Sequence, residues 1–253
     1  MIEYETQGHV AVITINRPEA RNAVNAEVAS GIEEALDRLE GDDQIWVGVL
    51  TGNGPVFSAG ADLKAISAGQ AGGLSTERGG FAGLVARDRT KPLIAAVDGP
   101  ALAGGTEIVL ACDLVVASSE ARFGVPEVKR SLAASAGALF RLAQKLPANV
   151  ATELIVTGDP ISAERAHHFG LVNELCEPGQ AKDAALDVAK RIAVNAPLAV
   201  QESLTTMRAS RGVSDEEAFA LSNRAMANLA KTEDFAEGPL AFIEKRDPVW
   251  KGR

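Results

Sequence analysis

Two Val- and Ile-rich runs flanking a single amphipathic stretch constrain this chain more than any other feature. HVAVITINRP (9–18) and IWVGVLTGNG (45–54) read as strands, the first closed by Pro18 and the second by glycines. Between them Asn25 can cap a helix over AEVASGIEEALDRLE. That helix sets Val28, Ile32, Ala35, Leu36 and Leu39 in one stripe at i, i+4, i+7, i+8 and i+11. The order strand, helix, strand is a β-α-β unit. PLIAAVDG (92–99) and CDLVVASS (112–119) continue it as short apolar runs, which fits strands buried on both faces with helices packed outside.

Beyond about residue 134 the pattern turns helical, with candidate helices at 135–145, 148–157, 162–168, 180–194, 197–210, 214–230 and 233–245. Only GLVNELC (170–176) reads as a strand there. The stretch AISAGQAGGLSTERGG (65–80) is rich in Gly, Ser and Ala with little periodicity and is expected to be a mobile surface loop. No repeat of 20–50 residues is visible. The fold class is therefore α/β, an alternating core followed by a helical carboxy-terminal part.

Composition narrows the function classes. With 25 Lys and Arg against 34 Asp and Glu the formal net charge is −9, which opposes general binding to a phosphate backbone. Cys112 and Cys176 lie in apolar surroundings without CxxC or His-rich spacing, so they are expected to be reduced core residues rather than a disulfide or a zinc site. The opening MIEYETQGHV is acidic and lacks an apolar signal region, and no run of about 18 apolar residues follows, so a soluble, cytoplasmic protein is expected.

Several familiar chemistries find no support. Gly52 and Gly54 follow a strand, but Phe57 stands where the third glycine of GxGxxG belongs. GxxxxGK[ST], HExxH and GxSxG are all absent. His9 opens a strand, His167 and His168 lie in a polar stretch before Gly170, and each reads as structural or surface.

Two turns rich in small residues remain, together with two glutamates in apolar neighbourhoods. FSAGADLK (57–64) follows a strand, and Ala59, Gly60 and Ala61 let a ligand approach the main chain where a helix can begin at Asp62. In DGPALAGGTEIVLACD (98–113) Gly104 and Gly105 precede an apolar helical run whose first N–H groups are free, at the positive end of the helix dipole. Two such groups converging on one oxygen make an oxyanion hole, although tight turns also need small residues for purely local reasons. Glu107 sits in the first turn of that helix and Glu127 follows Pro126 in ARFGVPEV. Their separation is too long for one helix face, so only the fold can bring them together. A helix-cap acid and a surface acid are the bland alternative.

The ordered set NRPEARNAVN (16–25), FSAGADL (57–63), KPLIAAVDGPALAGGTEIVLACDLVVAS (91–118), ARFGVPEV (121–128) and AFIEKRDPVWKGR (241–253) resembles the crotonase superfamily, with the closest likeness to enoyl-CoA hydratase. The resemblance spans nearly the whole chain. It implies a spiral ββα core over 1–190 and a carboxy-terminal helical trimerisation region over 191–253, usually in a dimer of trimers. It makes the Ala61 and Gly104 amides an oxyanion hole for an acyl-CoA thioester, with Glu107 as base toward water and Glu127 as proton donor to C2. No metal and no redox cofactor is implied. Arg21, Ala59, Asp62, Leu63 and Lys64 match positions around coenzyme A, and Phe242 and Lys245 match positions reaching the coenzyme A of a neighbouring subunit.

The chain departs from the family pattern in KRSLAASAGALFRL (129–142) and at Ala103, where a glycine is usual, which leaves the acyl group open. Within the superfamily a Δ3-Δ2 enoyl-CoA isomerase or another acyl-CoA lyase competes with the hydratase. From another class, a CoA- or RNA-binding paralogue competes, but the RNA-binding branch uses a lysine-rich helix where AEVASGIEEALDRLE is acidic.

Overall fold

The computed structural model describes residues 1–253. A six-stranded sheet runs in the order Ile2–Gln7, Val10–Ile15, Val47–Gly52, Leu93–Val97, Leu114–Ser118, Glu174–Cys176. The first pair is antiparallel, with Ile2 opposite Ile15, and every later pair is parallel. Each central strand divides its residues between two faces by simple alternation. Ala11, Ile13, Ile15, Leu93, Ala95, Val97, Val115 and Ala117 face the main core, to which Val28, Ile32, Ala35, Leu36 and Leu39 of the helix Ala26–Gly41 also belong. Val10, Val12, Val47, Val49, Ile94, Ala96 and Val116 face the helix Ala181–Ala193 and Trp46. Helices on both faces explain why the central strands read as unbroken apolar runs.

After each of four passes through this sheet the chain makes a second, shorter pass in a smaller layer. Val10–Ile15 is followed by Val24, which bridges Ala61, and Val47–Gly52 by Ser58, which bridges Ala101. Leu93–Val97 leads to Pro100–Leu102, which pairs in parallel with Arg122–Gly124, the segment that follows Leu114–Ser118. Ile161–Ser162 closes this layer against Arg122–Gly124. The result is the expected ββα spiral, with its inner turns stacked where the two small-residue segments meet.

Asn25 caps the first long helix, accepting the Val28 amide at 3.0 Å. Beyond the core, the helices Ala138–Lys145, Ala148–Thr157, Ala163–His168, Ala181–Ala193, Pro197–Ala209, Asp215–Leu229 and Asp234–Glu244 fall within the expected spans. The last of these is clasped by the carboxy-terminal residues. The buried Asp234 carboxylate accepts the Lys251 amide at 2.7 Å and the Gly252 amide at 2.9 Å, and Trp250 Nε1 donates to the Val194 carbonyl at 2.8 Å. No helix is long and apolar enough to cross a membrane.

Two features differ from the sequence reading. Ile2–Gln7 is an edge strand with no clear period in the sequence, since only Ile2 and Tyr4 turn inward between polar residues. The segment 65–80 is not a featureless loop. It holds the end of the helix Leu63–Ser67, a 3-10 turn at Ala71–Leu74 and a small hairpin pairing Ser75–Thr76 with Gly80–Phe81. Its anchors are polar rather than periodic: Thr76 Oγ1 donates to Glu33 Oε1 at 2.7 Å and Arg78 pairs with Asp37 at 2.7 Å. Of the cysteines, Cys112 is buried and Cys176 half-buried, and both are free thiols. His9 is structural, with Nδ1 against the Gln44 carbonyl at 2.7 Å and its ring stacked on Trp46.

Candidate active site

The segment Phe57–Asp62 is held on both sides by main chain. The Val24 amide donates to Gly60 O at 2.8 Å and the Asp62 amide to Val24 O at 2.9 Å, while the Leu102 amide donates to Ser58 O at 3.0 Å. Inside the turn the buried Ser58 Oγ donates to Asn22 O at 2.9 Å and accepts the Gly60 amide at 3.2 Å. Every neighbouring amide is thus engaged, and the Ala61 amide is left without a protein acceptor.

The Gly104 amide is free for a different reason: it opens the helix Gly104–Ala111, where no preceding turn supplies a carbonyl. Ala103, just before it, adopts φ 52 and ψ −126, a strained turn for a residue with a Cβ, and this turns the chain sharply into the helix. The two segments touch. A Cβ at Gly60 (φ 84) would stand 2.6 Å from the Gly104 nitrogen, so only glycine permits this approach.

Thr106 locks the helix start to the strand that leads to Glu127. Its Oγ1 lies 2.7 Å from Ala101 O and 2.9 Å from Gly124 O, and accepts the Gly124 amide at 3.0 Å. The next residue is Glu107, 3% exposed, and three residues beyond Gly124 is Glu127, half-buried in the 3-10 turn Pro126–Arg130. The fold therefore brings together two acids that the sequence keeps apart, close enough for the Glu127 charge to raise the proton affinity of Glu107. Burial is the larger cause and pushes the Glu107 carboxyl up to about 7. Against this, Glu107 Oε1 accepts the Ala138 amide at 3.2 Å, at the start of the helix Ala138–Lys145. Burial also raises Glu127, whose Oε2 is buried with no partner in the protein.

The remaining expected residues divide into two groups. Arg21 (φ 53) and Ala59 are joined directly, the Ala59 amide donating to Arg21 O at 3.0 Å, and Leu63 and Lys64 are exposed just beyond the Ala61 turn. The Asp62 side chain is engaged within the protein. It is 7% exposed, and its carboxylate accepts from Arg17 Nη1 at 2.6 Å and caps the short helix through the Lys64 and Ala65 amides. The Arg17 guanidinium beside it holds its carboxyl below the usual range. Phe242, 86% exposed, and Lys245 lie on and just past the last helix, and no hydrogen bond brings either to the glutamates within this chain.

Sequence reasoning missed Arg17, Asn22, Phe81, Thr106 and the Ala138 amide. Asn22 carried a readable signal, since Asn tolerates its φ of 53 and donates to the Asn53 and Val56 carbonyls. The arrangement offers two free N–H groups on adjoining turns, a buried carboxyl one helical turn past Gly104, and a half-buried carboxyl at Glu127, both of raised proton affinity. Such a set can polarise a carbonyl and move protons beside it.

Comparison with known proteins finds relatives along nearly the whole chain. The sequence pattern of the family Enoyl-CoA hydratase/isomerase matches residues 5–253. Enoyl-CoA hydratase EchA19 of Mycobacterium tuberculosis is 40% identical over 98% of this chain and 96% of its own length. A carnitinyl-CoA dehydratase of Salmonella arizonae is 39% identical over 97% of this chain and 96% of its own. The crystal structure of an enoyl-CoA hydratase from Mycobacterium tuberculosis superimposes with a TM-score of 0.96 at 47% identity, covering 100% of this chain and 99% of that one.

Proposed function

The chain belongs to the enoyl-CoA hydratase/isomerase family, and from that premise we propose that it hydrates a trans-2-enoyl-CoA thioester to the 3-hydroxyacyl-CoA. One observation carries the reading: a buried carboxyl, Glu107, in the same helical turn as one of two main-chain amides that have no protein acceptor, with the half-buried Glu127 carboxyl close enough to raise its proton affinity. The thioester oxygen accepts from the Ala61 and Gly104 amides, which favour the enolate-like charge that builds there as water adds at C3. Glu107 takes the proton from water. The Ala138 amide supports its carboxylate form while burial keeps it basic enough for the task. Glu127 delivers a proton to C2 from the side that carries its unpartnered oxygen.

Two groups with different surroundings can divide acid and base work in this way. Retention of both glutamates favours hydration over a Δ3-Δ2 isomerase, which can manage with one. Arg21, Ala59, Leu63 and Lys64 surround the approach to coenzyme A, with main-chain and basic groups offsetting an acidic protein. The exposed apolar side chains Phe242, Ile243 and Phe219 of the carboxy-terminal helices support assembly as a trimer or a dimer of trimers, which would bring Phe242 and Lys245 to a neighbour's site. The test is spectroscopic: purified protein with crotonyl-CoA should abolish the absorbance of the conjugated enoyl thioester and yield 3-hydroxybutanoyl-CoA. Conversion of a 3-enoyl thioester without hydration would favour the isomerase.

A further inference from the structure

The main chain around the two free amides is built from small residues, Gly60, Ala61, Ala103 and Gly104, with one exception pressed against it. The ring of Phe81 lies on the Cα of Gly104: a Cβ there would stand 2.5 Å from the ring Cε1 and 2.6 Å from Cζ. Phe81 is half-buried and packs on the main core.

The main chain that carries the ring is held firmly. Phe81 ends the small hairpin, and its carbonyl accepts the Leu84 and Val85 amides, both at 3.2 Å. The Ala86 amide closes back on Gly79 O at 2.8 Å, and a Cβ at Gly83 (φ 65) would meet Ala29 O at 2.3 Å, so the turn is seated directly on the helix Ala26–Gly41. The Phe81 main chain does not shift without lifting this whole turn.

A cavity of about 1050 Å³ lies further along the same three elements, and Phe81 is not part of its lining. Leu84 and Val85 follow Phe81, Leu110 and Ala111 follow Glu107, and Phe140 and Arg141 follow Ala138, and all six line it, while neither glutamate does. A single aromatic ring thus stands against the turn that carries one of the two free amides. We infer that Phe81 sets the width of the acyl slot beside the Gly104 amide and restricts the chain to flat, unbranched 2-enoyl thioesters, a specificity that rests on the hydratase reading above.

The test compares wild type, Phe81→Leu and Phe81→Ala on crotonyl-CoA and its 2-methyl-branched analogue. Wild type should prefer crotonyl-CoA, and both variants should move the kcat/KM ratio toward the branched thioester by about tenfold or more, the scale set by one methylene in an apolar slot. Phe81→Leu keeps an apolar side chain in the turn and remains informative if Phe81→Ala does not fold. Binding of butanoyl-CoA and 2-methylbutanoyl-CoA, measured by calorimetry, reads the slot without turnover, and the Kd ratio should move the same way. An unchanged ratio in folded Phe81→Leu, by turnover and by binding, would overturn the inference and leave the hydratase reading standing. Loss of hydration in wild type with the binding ratio still shifted would overturn the reaction and keep the slot.

Discussion

The amide of Ala138 donates to Oε1 of Glu107 over 3.2 Å, so the first residue of one helix helps set the charge of a carboxyl on another. Ala138 contributes no functional side chain. Its role comes from Gly137, which at φ 119 turns the chain so that a free helix N-terminus meets the buried acid.

Glu107→Gln and Glu127→Gln should each lower kcat for crotonyl-CoA hydration by about 100- to 10,000-fold, the range of a positioned acid or base. Near wild-type turnover in either variant would remove that residue from the mechanism. Circular dichroism should show both folded, since the substitution keeps shape and a hydrogen-bonding oxygen.

The pH dependence follows from burial. Glu107 is raised from 4.5 to about 7, so as a base it should make kcat/KM climb through about pH 7, and Glu107→Gln should flatten that limb. The folded state also holds a proton that the unfolded chain releases. Its contribution to stability is complete below 4.5 and fades as pH rises through about 7, and urea titrations of wild type and Glu107→Gln across that window should diverge accordingly.

Thr106→Val removes the acceptor of the buried Gly124 amide and should cost about 1–3 kcal/mol of stability. It should also lower kcat more than it raises KM, because it loosens the tie between the Gly104 turn and the strand leading to Glu127. Thr106→Ser, which keeps the hydroxyl, should recover most of both in chemical denaturation and steady-state assays.

Asp62→Ala should cost about 0.5–2 kcal/mol through the lost helix cap and should weaken turnover by freeing the Ala61 turn. Because Arg17 depresses the Asp62 carboxyl, its contribution is present above the ordinary aspartate value and is lost as pH falls through the folded one. Acid unfolding of Asp62→Asn compared with wild type checks the sign.

Light scattering should find a trimer or a multiple of it, and Phe242→Asp should shift the mass downward and weaken coenzyme A binding together. An unchanged mass would place Phe242 outside the interface.

What could be read from residues alone was what repeats or punctuates. The stripe from Val28 to Leu39 and the runs 92–99 and 112–119 carry their periods openly, and the Gly104 turn announces itself by composition. Ile2–Gln7 stayed hidden because an exposed edge strand needs only two inward residues. The 65–80 segment misled because its anchors, Thr76 to Glu33 and Arg78 to Asp37, are single side chains reaching a helix more than forty residues away in the chain. Phe81 and the Ala138 amide share that cause: each acts through a contact with Gly104 or Glu107 that only the closed spiral creates.

The clasp on Asp234 makes the last few residues a latch rather than a tail. Removing residues 250–253 would strand a buried carboxylate and take away the Trp250 indole that packs on the outer sheet face, so the helix Asp234–Glu244 should loosen and amide exchange there should quicken.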